Sequence, residues 1–175
     1  SAKALRTIQQ KDLPLIDSKK RVLGVIRPTT EIVGNYTKTR QIGIFATTGT
    51  VSSQSYIIEI EKFFPDIKVF QEACPMWVPL IENNELHSEG AEYFVKKHIQ
   101  HMFSQSPNID TVILGCTHYP LLKPLIEKHL PKNVTILTQG SIITNGLKDY
   151  LYRHPEMENL ISKNNPIQFL TTDSA

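Results

Sequence analysis

Short apolar runs alternate with amphipathic stretches through most of the chain, the pattern of βα units that build a parallel sheet. The runs VLGVI (22–26), IGIFA (42–46), IKVFQ (67–71), VIL (112–114), VTILT (134–138) and IQFLT (167–171) read as strands. Helical spacing is expected over residues 1–10, where Ala2, Leu5 and Ile8 recur every third position, and over 52–64, 88–103, 121–130 and 141–152. In the second of these, Tyr56, Ile57, Ile60, Phe63 and Phe64 share a face while Glu59, Glu61 and Lys62 take the other. TTEIVGNYTKTR (29–40) reads as a short helix and turn, and EACPMWVPLIENNE (72–85) as a loop, because Pro75 and Pro79 argue against a regular element. The fold class is therefore α/β.

Composition narrows the partners. With 175 residues the chain can bury a substantial core. Nineteen basic and 17 acidic residues leave a net charge of +2, so nothing calls for direct contact with nucleic acid. No run approaches the roughly 18 apolar residues of a membrane span, and a cytoplasmic location is expected. The two cysteines, Cys74 and Cys116, could pair once, but in a reducing compartment a catalytic or metal role suits them better than a disulfide.

The chemistry concentrates in TVILGCTHYPLL (111–122). Val112 to Leu114 suit a strand buried on both faces, Gly115 permits close approach of backbone or ligand, and Cys116 then sits at the carboxyl end. In open α/β sheets that end faces the ligand crevice. A buried cysteine acting as a small hydrophobe fits the same pattern. His118, two residues on, could ionise the thiol or serve as a structural hydrogen-bonding group. Thr47, Thr48, Gly49 and Thr50 end the strand at 42–46 and could receive a carboxylate or phosphate, or simply cap a helix. No Walker lysine follows Gly49 and no G-x-G-x-x-G occurs, which excludes the common nucleotide loops. Glu82 could orient His118 across the crevice or remain a solvated loop carboxylate. Cys74, His87, His98, His101 and His129 lack metal-ligand spacing, so no metal is expected.

The segments ATTGTV (46–51), ACPMWVPLIE (73–82) and LGCTHYPLL (114–122), in this order and at these intervals, closely resemble bacterial glutamate racemases of the aspartate/glutamate racemase superfamily. The aspartate racemases of that superfamily characteristically carry Glu where His118 stands. The resemblance implies a two-domain fold with substrate between two facing α/β domains, incomplete here. Residues 1–26 would be a remnant of the first domain, 27–137 the second domain, and 138–175 a return segment packing on the first. It also implies a reaction without pyridoxal phosphate or other cofactor, in which one cysteine thiolate removes the α-proton of glutamate and an opposed cysteine reprotonates the other face.

By the same resemblance Cys116 is the second acid/base, His118 and Glu82 assist it, and Thr47, Thr50, Thr117 and His118 bind substrate, while Cys74 has no catalytic part. In such proteins SAKALR follows directly on a Cys-Asn-Thr-Ala segment with the first catalytic cysteine. The chain is thus expected to begin four residues after it, without the family's Asp-Ser and Tyr-Gly substrate loops or a C-terminal helix, and to be inactive alone. The stretch RPTTEIVG (27–34) departs from the proline-glycine turn that many members carry there. The resemblance further implies D-glutamate supply for peptidoglycan and a homodimer. The alternatives are a racemase for aspartate or a related amino acid, a non-catalytic regulatory protein of the kind that restrains DNA gyrase, and a cysteine-nucleophile hydrolase.

Overall fold

The structure is a computed structural model and describes residues 2–17 and 19–170. Strands β1 (Gln41–Ala46), β2 (Lys68–Ala73), β3 (Thr111–Leu114) and β4 (Thr135–Leu137) form one parallel sheet in the order β2-β1-β3-β4. The register sets Ile42 beside Val69, Ile44 beside Ile113, and Ile113 beside Leu137. Side chains alternate along each strand, so neighbouring residues serve opposite faces. Ile42, Ile44, Ala46 and Ile113 join Tyr56 and Ile60 of one layer, whereas Phe45, Val112 and Leu114 join Val95, Ile99, Met102 and Ile126 of the other. Both faces are covered, which is why β1 and β3 are apolar throughout their interiors.

The covering helices follow from spacing and caps. The first layer is α5 (Ser55–Phe63), preceded by α4 (Thr48–Ser52); the second is α7 (Glu89–Gln105) with α8 (Lys123–His129). Val95, Ile99 and Met102 recur at the interval of one helix face. Ser88 caps α7, its hydroxyl oxygen accepting from the Ala91 N–H at 3.1 Å, with Glu89 and Glu92 in the first turn. The base of β3 is fixed by Asp110, which accepts from the Thr37 hydroxyl and from the backbone N–H groups of Lys38 and Thr39. Burial opposes ionisation of that carboxyl, but these hydrogen bonds outweigh it and hold its pKa below the ordinary range.

Several expected elements differ. Residues 22–26 are not a strand: 21–24 have no regular structure and Ile26 opens the short helix α3 (Ile26–Thr30). An apolar run becomes a strand only where a ladder partner exists, and here Leu23 and Val25 stand about half exposed. Residues 167–170 likewise carry no ladder, with Ile167, Phe169 and Leu170 largely exposed, and residue 171 lies outside the described residues. The helix expected over 52–64 is broken at Gln54, whose φ is 53°, because Ser53 donates to the Thr50 carbonyl and bonds to the Ser55 hydroxyl. The loop at 72–85 contains the helix α6 (Trp77–Glu82), since Pro79 falls within its first turn, where no intrahelical N–H is needed. The opening helix α1 (Ala2–Thr7) runs through a wider turn, Ile8–Asp12, into α2 (Leu13–Ile16). A helix at Pro155–Leu160 has no counterpart in the expectations, though Pro155 with Glu156 and Glu158 is a helix-start pattern.

The chain divides into two compact units, one running to Ile143 and one from Thr144. Helix Gln139–Arg153 begins in the first.

Candidate active site

The strand order turns about β1, with β2 on one side and β3 on the other. Loops leaving two strands at such a point diverge, and the crevice between them is the usual ligand site of an open α/β sheet. Here β1 delivers Thr47 to Thr50 and β3 delivers Gly115 to His118. Thr47 holds the N-cap backbone conformation of α4, yet its side chain makes no capping hydrogen bond. Its hydroxyl instead lies 3.1 Å from that of Thr50, so two half-buried hydroxyls are presented together.

On the β3 side the ladder continues one step, the Gly115 N–H donating to the Phe45 carbonyl at 2.8 Å. A Cβ on Gly115 would lie 3.1 Å from that carbonyl oxygen, 3.1 Å from Tyr56 Cε2 and 3.3 Å from Ala46 Cβ, so the close approach to β1 leaves little room for a side chain here. The chain then turns: the Tyr119 N–H donates to the Cys116 carbonyl and Pro120 stiffens the tight turn Tyr119–Leu122. Cys116 is left half-buried, its Sγ 3.8 Å from His118 Nδ1. His118 Nε2 lies 3.2 Å from Glu82 Oε1. One imidazole thus touches both a thiol and a carboxylate, an arrangement that can stabilise a thiolate and relay its proton. Thr117 is exposed on the same turn.

Glu82 owes its place to α6, which Trp77 and Ile81 anchor in the core. The Trp77 ring meets those of Phe45 and Tyr119 at centroid distances of 5.2 and 4.8 Å, and the Tyr119 hydroxyl donates to the Cys74 carbonyl at 3.0 Å. Burial pushes the Tyr119 phenol up, with the charges of Cys74 and Cys116 adding to the effect, so it remains a neutral donor. Sequence reasoning missed these supports, although Tyr119 lies within the motif and Trp77 is the single tryptophan. Cys74 is fully buried; burial, then the charge of Glu72, pushes its thiol far above the ordinary range. His98 and His101 place their Nδ1 atoms on the two carboxylate oxygens of buried Glu72. Among the described residues no group of three His, Cys, Asp or Glu side chains is arranged to hold a metal ion.

The Asp/Glu/Hydantoin racemase family model matches residues 4–143. This chain belongs to that family. Among the relatives of this Asp/Glu/hydantoin racemase family member, the glutamate racemase of Enterococcus faecalis is 36% identical over 154 residues, covering 88% of this chain and 56% of the relative. That of Roseobacter denitrificans is 36% identical, covering 98% and 64%. The chain therefore spans less than two thirds of the length of these relatives. Among solved structures, glutamate racemase isoform RacE1 of Bacillus anthracis superposes with a TM-score of 0.74 at 28% identity, covering 90% of this chain and 57% of that one. The Francisella tularensis glutamate racemase, solved with D-glutamate, gives 0.73 at 27% identity, covering 93% and 59%. The family's α/β architecture with a parallel sheet is thus shared.

Proposed function

We propose that the protein to which these residues belong interconverts L- and D-glutamate without a cofactor, with Cys116 as one of two opposed acid/base thiols. The observation that supports this most directly is the Cys116–His118–Glu82 series at the crevice between β1 and β3. Inverting a stereocentre through a planar carbanion takes a base on one face and an acid on the other, so the second thiol must stand on a facing wall. Cys74 cannot serve, being sealed in the core. His118 would relay the proton that Cys116 exchanges, with Glu82 at its other nitrogen. The hydroxyls of Thr47, Thr50 and Thr117 would bind the substrate's carboxylates and, with His118, restrain it while charge develops.

On this reading residues 27–137 are the second domain, 1–26 belong to the first, and 138–175 return to it. The enzyme works in the cytoplasm as a homodimer and supplies D-glutamate for peptidoglycan. The 175 residues alone lack a second accessible thiol and do not racemise glutamate.

Circular dichroism of L- and D-glutamate with the whole protein and its Cys116→Ser variant is the test. Loss of racemisation in both directions is expected, and activity retained by the variant would remove Cys116 from this role. Turnover of aspartate but not glutamate would instead favour the aspartate-racemase alternative, against which His118 stands. Full racemisation by the 175 residues alone would overturn the two-thiol scheme.

A further inference from the structure

The chain enters and leaves the parallel sheet side by side. It arrives through α3 from the irregular stretch 21–24, and departs past Leu137 into helix Gln139–Arg153. Between these passages lies the side chain of Gln139, 8% exposed. Its Nε2 donates to the Tyr56 hydroxyl oxygen on α5 at 2.7 Å, and reaches the Val25 carbonyl and the Thr29 hydroxyl oxygen at 3.4 and 3.5 Å, across 114 and 110 positions of sequence. An amide nitrogen carries two hydrogens. One is therefore committed to Tyr56, and the other is shared between two acceptors on the incoming passage. Tyr56 and Thr29 are fully buried, so water cannot readily take the place of a broken bond. Ile26 from one passage, and Leu137 and Ile142 from the other, pack in one core cluster with Tyr56. Beyond them the packing thins: Leu23 is half exposed, and the first compact unit ends at Ile143. Parallel pairing of Ile113 with Leu137 puts Gln139 at the same end of the sheet as Cys116.

We propose that Gln139 is a hinge pin: its amide ties the incoming passage at Val25 and Thr29 and the outgoing passage at residue 139 to the same helix, α5, so that the two bend together where the chain leaves the sheet. The inference rests on the reading that residues 1–26 and 138–175 belong to a facing domain, since only then does bending here change how the crevice is covered. The two arms of the pin differ in kind. The short bond to Tyr56 fixes the amide on the body of the sheet. The shared hydrogen is the compliant arm, because it can pass between the Val25 carbonyl and the Thr29 hydroxyl without untying the incoming passage. A hinge needs both properties: a fixed axis, and neighbouring backbone that absorbs changes in dihedral angle. Residues 21–24, with no regular structure, supply the second. Loosening the pin lowers the population competent to close on substrate.

Hydrogen exchange of the 175-residue chain, read by peptide mass spectrometry, is the first test. Gln139→Met keeps the side chain's length and removes the amide; exchange should quicken about tenfold in peptides covering both 24–31 and 138–143, while β1 and β3 keep their protection. Thr29→Val removes only part of the compliant arm and should quicken 24–31 by about threefold. A change confined to 138–143, or one shared equally by β1 and β3, overturns the proposal, because it marks local packing or general support of the core. Should Gln139→Met fail to fold, Tyr56→Phe removes the fixed arm with the ring in place and must loosen both passages; unchanged protection at 24–31 is then equally fatal. The whole protein supplies the second test. Gln139→Met should raise the KM for L- and D-glutamate together about fivefold and change kcat by less than about twofold. An unchanged KM, whatever kcat does, overturns the pin's part in closure. The exchange readout needs no turnover, so a whole enzyme still active as Cys116→Ser would remove the functional reading and leave the pin to stand or fall on protection alone.

Discussion

Cys74 and Cys116 stand at matching places on opposite sides of β1, yet one is sealed and the other open. Each lies just past the end of a parallel strand that extends its ladder by one bond: the Cys74 N–H donates to Ala46, and the Gly115 N–H to Phe45. The difference lies in the residues immediately downstream of each sulfur. After Cys74 the chain runs through Pro75 and folds over, the Trp77 N–H reaching back to the Cys74 carbonyl and its indole closing the core beside Phe45 and Tyr119. After Cys116 come Thr117 and His118, polar residues that turn outward and leave the sulfur beside an imidazole. The same atom is thus sealed in the core at Cys74 and left half-buried beside a polar turn at Cys116.

Alkylation of the folded chain breaks this contrast or confirms it, and carries the largest expected effect. Cys116 should react on the order of 100-fold faster than Cys74, because burial both hides the Cys74 sulfur and suppresses its thiolate. In denaturant the two rates should converge. Comparable rates in the folded protein would mean that Cys74 is not held in the core.

Stability should show the contrast in reverse. Cys74→Ser places a hydroxyl in an apolar cluster and should cost about 1–3 kcal/mol in urea unfolding. Cys116→Ser, half-buried beside His118, should stay within about 0.5 kcal/mol of the parent. If Cys116→Ser proves the costlier change, the two environments have been assigned the wrong way round.

These distinctions were only partly legible in the amino-acid sequence. The strands at 42–46 and 111–114 were plain because parallel strands covered on both faces are apolar throughout. The apolar run at 22–26 misled, since periodicity says nothing about whether a ladder partner is free. Helix Trp77–Glu82 was hidden by Pro79, and with it the anchor that presents Glu82. Cys116 and His118 are two residues apart and their proximity is local, whereas Glu82 lies 36 positions earlier, and the sequence alone leaves it open between orienting His118 and standing solvated. The Gln139–Tyr56 bond spans 83 positions and left no local trace.

The smallest expected effect concerns how far the carboxylate behind His118 sharpens the contrast between the two thiols. Glu82 is 61% exposed and His118 36%, so their ion pair works in a high effective dielectric and is screened by salt. Its influence on Cys116 passes through the imidazole, which lies 3.2 Å from the carboxylate and 3.8 Å from the sulfur. Removing the charge by Glu82→Gln should therefore slow Cys116 alkylation at neutral pH by about twofold. Unfolding free energy should change by less than about 0.5 kcal/mol, as for other exposed pairs. At about 1 M salt, where the screening length falls to roughly 3 Å, parent and variant should become indistinguishable. A rate difference that survives salt would mean that Glu82 acts by holding the His118 ring in place rather than by its charge, and Glu82→Gln combined with His118→Asn would then lose no more than His118→Asn alone.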